Sequence, residues 1–167
     1  MGIFGKLFGG NTKNENKSSN NEIADFFKID LKNLPDGTFS ELKTDGDFTD
    51  EVKTYRKQLQ YKECGIFDVV EVRVVGKDSI NVSFLNYNPD EINMGKMKEL
   101  INGIYKLYGN DDNKKGKFNN QDISEYKDDE FNMLFGRRWN DFPKYKNAVA
   151  VQRDEDQVEL AIWNANK

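Results

Sequence analysis

Twenty-nine carboxylates and no histidine set the terms on which this chain could do chemistry. Without imidazole there is no Ser-His-Asp or Cys-His nucleophile, and no zinc or iron centre with histidine ligands. A single cysteine excludes an internal disulfide and a Cys-only zinc site. What remains is oxygen chemistry, because paired carboxylates can do general acid/base work or hold a hard cation.

The best-spaced acidic run is Asp111-Asp112-Asn113-Lys114-Lys115-Gly116. It resembles the opening of an EF-hand calcium loop, with Asp111, Asn113 and Gly116 at the first, third and sixth positions. Lys115 stands fifth, where an oxygen ligand is required, and Asp122 rather than Glu stands twelfth. An ammonium at a ligand position repels the ion, so the segment reads as a solvated loop and no metal is expected. Asp45, Asp47, Asp50 and Glu51 read as a solvated turn.

Glu71 is the one carboxylate placed within a strand pattern, with Arg73 on the same face as its expected partner. Cys64 precedes Gly65 at what reads as a helix C-terminus, where a thiolate is disfavoured, so it is expected to be inert. No phosphate-cradling motif is present: neither G-x-G-x-x-G after a strand nor a Walker sequence occurs. Arg137, Arg138 and Trp139 form the one basic-aromatic cluster, joined loosely by Lys144-Tyr145-Lys146, and are the candidate anion-binding residues. Acidic segments on either side would repel a polyanion. With 25 Lys and Arg against 29 Asp and Glu, a net charge of −4, nucleic acid is not expected as a partner.

The elements that must position these residues follow from periodicity. Residues 1–18 read as a flexible arm: an apolar decapeptide with Phe4, Leu7 and Phe8, then a stretch with nothing to bury. Lys6 stands where a myristoylation signal requires Ser or Thr, and no run is apolar enough to span a bilayer. Residues 19–167 read as a single α+β domain, placed in the cytoplasm by elimination and by the lone thiol. A short helix carries Ile23, Phe26 and Phe27, stopped by Pro35-Asp36-Gly37, and a weak strand follows at 38–43. Residues 49–63 carry Val52, Tyr55 and Leu59 at helical spacing among Lys, Gln and Glu, and read as helix, although Tyr55, Leu59 and Tyr61 would also share one face of a strand.

Val70, Val72 and Val74 alternate with Glu71 and Arg73, and Ile80, Val82 and Phe84 repeat the pattern, which predicts an antiparallel hairpin. A long helix is expected over 89–108, capped by Asn88 with Pro89 at its first position and Met97, Leu100, Ile101 and Ile104 in its buried stripe. Residues 110–130 read as a polar loop, 131–135 as a strand, and 148–152 with 157–163 as a last hairpin. The expected fold is a two-layer α+β sandwich: a mostly antiparallel sheet of about five or six strands with the helix 89–108 packed on it.

These readings weigh against an enzyme and imply no cofactor. The function they favour is a cytoplasmic protein-interaction module, of adaptor, chaperone-like or immunity/inhibitor type, with an acidic recognition surface. That surface is expected at Phe118, Tyr126, Asp128, Asp129 and Glu130, together with Asp154, Glu155 and Asp156. Residues 110–130 hold four lysines against seven carboxylates, a local charge of −3, with aromatic anchors among them. The alternative is a carboxylate-dependent enzyme or a small-ligand-binding domain.

Overall fold

The valine-rich run at 67–75 organises the rest of the sheet. In the computed structural model, whose described residues are 33–42, 52–76, 79–127, 135–140 and 147–163, this run forms β3 (Phe67–Val75). It lies between β2 (Val52–Glu63) and β4 (Ser79–Asn86). With β1 (Ser40–Leu42), β5 (Gly136–Trp139), β6 (Ala148–Arg153) and β7 (Val158–Trp163), the described residues build one seven-stranded sheet in the order β1-β2-β3-β4-β7-β6-β5. Every neighbouring pair is antiparallel. The chain thus runs a four-strand meander, crosses to the far edge, and returns inward so that β7 pairs with β4.

Among the described residues two α-helices follow β4. One is α1 (Met94–Tyr108) and the other α2 (Asn120–Lys127). The expected stripe on α1 is realised: Met97, Leu100, Ile101, Ile104 and Tyr108 are buried. They share one core with Val70, Val72, Val82 and Phe84, and with Val149, Val151, Leu160 and Ile162 of the second hairpin. The fold is therefore α+β, an antiparallel sheet with helices packed against it. Among the described residues no helix is long and apolar enough to cross a membrane. The expected arm 1–18, the helix through Ile23 and Phe27, and the acidic turn at 45–51 lie outside the described residues.

Four local expectations are corrected. Residues 52–63 are strand, not helix. The register sets Tyr55 opposite Val72 and Lys57 opposite Val70, so pairing with β3 overrides the helix preference of Lys, Gln and Glu. Gly65 does take a left-handed conformation (φ 69°), but with Cys64 (φ 52°) it forms the turn between β2 and β3 rather than a helix end. The long helix starts at Met94, because Pro89–Glu91 closes only a 3₁₀ turn and Ile92 is extended. Asn93 is the cap, accepting bonds from the Gly95 and Lys96 amides at 2.8 and 3.2 Å. A Cβ at Gly95 would stand 2.9 Å from that capping oxygen, so this glycine serves the cap.

The last correction concerns the polar end. The stretch read as a loop contains α2. The strand expected at 131–135 lies outside the described residues except for its last residue, Phe135, which is buried; Gly136–Trp139, to which the sequence assigned no element, forms β5.

Candidate functional site

Strand alternation divides the basic-aromatic cluster. On β5, Arg137 and Trp139 are buried on one face and Arg138 is exposed on the other. The Trp139 indole N–H donates to the Gly109 carbonyl at 3.0 Å, just past the end of α1. The segment after Gly109 runs along the β5 edge, where the Asp112 amide donates to the Arg138 carbonyl at 2.8 Å.

The Arg137 side chain passes beneath this segment and is surrounded by its oxygens. Nε and Nη2 donate to the two oxygens of Asp122 at 2.8 and 2.7 Å, a bidentate pair. Nη1 donates to Asp111 Oδ2 and to the Gly116 carbonyl, both at 3.1 Å. The side chains of Arg137 and Asp111 are 0% exposed and that of Asp122 is 1%. Burial alone would lower the guanidinium pKa, but the bonds and charges of Asp122 and Asp111 outweigh it and raise it. Asp111 and Asp122 are the first and twelfth positions of the calcium-like spacing. They do converge on one cation, and that cation is Arg137.

Backbone donors complete the arrangement. The Lys115 amide donates to Asp111 Oδ1 at 2.7 Å. The Asn119 amide donates to Asp122 Oδ2 at 2.8 Å, while the Asn119 side chain accepts from Gln121 N at 2.8 Å. Asn119 and Asp122 therefore form a reciprocal cap at the start of α2. The Lys115 ammonium turns away from the carboxylates of the loop and pairs with Glu125. Beside the triad lies a cavity of about 410 Å³, bordered by Asp112, Lys115, Glu125, Gly136, Arg138 and Gln152.

A second arginine joins α2 to the β6–β7 turn. Arg153 donates to the Tyr126 carbonyl, and its guanidinium carbon lies 4.8 Å from the centre of the Tyr126 ring. Its Nη2 donates to Asp90 Oδ1 at 2.8 Å. The Tyr126 hydroxyl donates to the Pro89 carbonyl at 2.7 Å. Burial raises the Tyr126 pKa even though the Arg153 charge opposes the shift. Asp154 Oδ1 shapes the turn by accepting from Asp156 N at 3.0 Å and Gln157 N at 2.8 Å.

The sequence-derived surface residues are therefore placed unequally. Phe118 and Tyr126 are core residues. Asp154 is half-buried, while Glu155 and Asp156 are exposed. Asp128, Asp129 and Glu130 lie outside the described residues. Arg153, Tyr126 and Asp90 bring α2 and the acidic turn to one end of the molecule, a junction that sequence reasoning missed. The sequence signal available for the triad was the Asp111–Asp122 spacing, taken as a failed metal loop.

The other chemical candidates are spoken for. Glu71 pairs with Arg56 across β2–β3 at 2.6 Å rather than with Arg73. Burial, with Glu63 beside it, pushes the half-buried Cys64 thiol far up, leaving a poor nucleophile. No family model, curated protein or solved structure matches this chain.

Proposed function

We propose that this is a cytoplasmic protein-interaction module, of adaptor, chaperone-like or immunity/inhibitor type, that recognises a basic partner through its polar end. The observation that carries the reading is the Arg153 junction. It holds the β6–β7 turn against α2 while its own side chain is only 14% exposed, whereas the Asp90 side chain is 86% exposed. The charges of Arg137 and Arg153 are thus turned inward, while Lys114, Lys117, Lys127 and Arg138 stay exposed. Asp90, Glu91, Glu155 and Asp156 remain exposed. The sequence continues from Lys127 into Asp128, Asp129 and Glu130, which would add to the same sign. Rigid carboxylates on ordered turns steer an oppositely charged partner and fix its register.

The test is to capture a partner with the native protein from its own cell extract and measure association against ionic strength. The on-rate should fall as salt rises, since steering is screened over about 8–10 Å at moderate ionic strength. Replacing Glu155 and Asp156 by Gln and Asn, or Asp128, Asp129 and Glu130 by their amides, should lower the on-rate and leave the fold intact. Binding indifferent to salt and to both sets would overturn the reading.

The cavity beside Arg137 supports a second reading, a small-ligand or carboxylate-dependent site. The aspartates behind it are committed to Arg137, so the carboxylates that border the cavity are Glu125, paired with Lys115, and Asp112. Ligand-induced stabilisation lost in Glu125→Gln, with partner binding unchanged, would favour this second reading over the first.

A further inference from the structure

We propose that Arg137 is the resident cation of an acidic loop, an internal latch that orders residues 111–127 where a related spacing would use a metal ion. Four side-chain and backbone oxygen contacts from three residues converge on one guanidinium: both oxygens of Asp122, one of Asp111, and the Gly116 carbonyl. Those residues span the whole turn from Asp111 to the start of α2, so a single side chain from β5 closes it. The Asp111 and Asp122 carboxylates also accept from the loop's own amides, those of Lys115 and Asn119. Among the described residues every buried side-chain nitrogen and oxygen has a partner.

The arrangement explains why Lys115 is tolerated at the fifth position. Its ammonium is not needed in the loop, and it leaves to pair with Glu125. It also explains why two buried carboxylates can lie in one turn. Each would repel the other without a cation between them, and a fork with donors on Nε, Nη1 and Nη2 satisfies both at once. The latch goes beyond the recognition reading, since it concerns how the segment is ordered and not what it binds. It would hold equally if no protein partner existed.

Arg137→Met keeps much of the volume and removes the charge, and native-state amide hydrogen exchange reads the result residue by residue. In this variant the amides of Lys115 and Asn119 should lose protection by about a hundredfold, while those of β3 and β4 keep theirs. Millimolar calcium should then restore part of that protection in Arg137→Met, because the vacated oxygens are hard ligands. The wild-type protein should show no response to calcium. If Arg137→Met fails to fold, Asp111→Asn provides the milder break, and the Lys115 amide alone should become labile. Unchanged protection in either variant would overturn the latch. Local opening in Arg137→Met that calcium does not restore would overturn the claim that the guanidinium stands in for a metal ion. Uniform loss across the sheet in both variants would show that Arg137 belongs to the global core instead.

Discussion

Two regions of this molecule, an apolar end around α1 and a polar end around α2, are held by different physics. Around α1, β3 and β4 the contacts are apolar: Leu100, Ile101 and Ile104 share one core with Val70, Val72, Val82 and Phe84, and among the described residues no carboxylate, lysine or arginine is buried there. Around α2 and β5 the fixed points are charges, Arg137 on Asp111 and Asp122, and Arg153 on Asp90 and Tyr126. Apolar burial is non-directional and tolerates small shifts. A buried ion triad stabilises only when its geometry is complete, and loss of one member leaves the rest uncompensated. The apolar end makes the domain; the polar end fixes where particular surface groups stand.

The sharpest way to break this contrast is at the triad. Asp122→Ala removes two bonds to Arg137 and the reciprocal cap of α2, and should cost about 3–5 kcal/mol, read by urea denaturation. At the apolar end Ile104→Ala, fully buried, should cost about 2–5 kcal/mol. The two substitutions are to be told apart by location more than by size: Asp122→Ala should expose 111–127 first, and Ile104→Ala should lower protection across the sheet. A cost below about 1 kcal/mol for Ile104→Ala would mean that α1 does not seat on the hairpin as described.

Smaller effects sharpen the same picture. Asn93→Ala removes the cap of α1 and should cost about 1 kcal/mol in thermal unfolding. The alkaline limb of stability should reflect Cys64 and Tyr126, whose folded pKa values are raised chiefly by burial. A raised pKa for an acid that is neutral when protonated means the folded state holds its proton longer. Stability is then complete below the unfolded values, about 8.5 for Cys and 10 for Tyr, and falls as pH climbs above them. Cys64→Ala should flatten the earlier part of that decline, and native Cys64 should react slowly with thiol reagents at pH 8.

How much of this was legible in the sequence depends on which physics holds the region. The valine alternation of β3 and the α1 stripe carry their periods openly, and both expectations stand. β2 was misread because its Lys and Gln residues favour helix locally, and only the register against Val70 and Val72 decides the matter. β5 is not legible because an arginine occupies a core position: Phe135, Arg137 and Trp139 are buried in alternation, but a charged residue in the middle hides the period. The Asp111–Asp122 spacing reads as a solvated loop because Lys115 stands at a ligand position, and nothing local says that a cation will arrive from a strand about fifteen residues further on. The acidic turn is legible as a hairpin tip, while its union with α2 depends on Arg153, whose bonds to Tyr126 and Asp90 are long-range.

On the proposed reading the polar end, and not the apolar one, meets the partner, and hydrogen exchange of the captured complex distinguishes the two. New protection is expected at 120–127 and 153–157 on binding, with the β2–β3 hairpin unchanged. Protection confined to β2 and β3, with the α2 and β6–β7 amides exchanging as in the free protein, would contradict it.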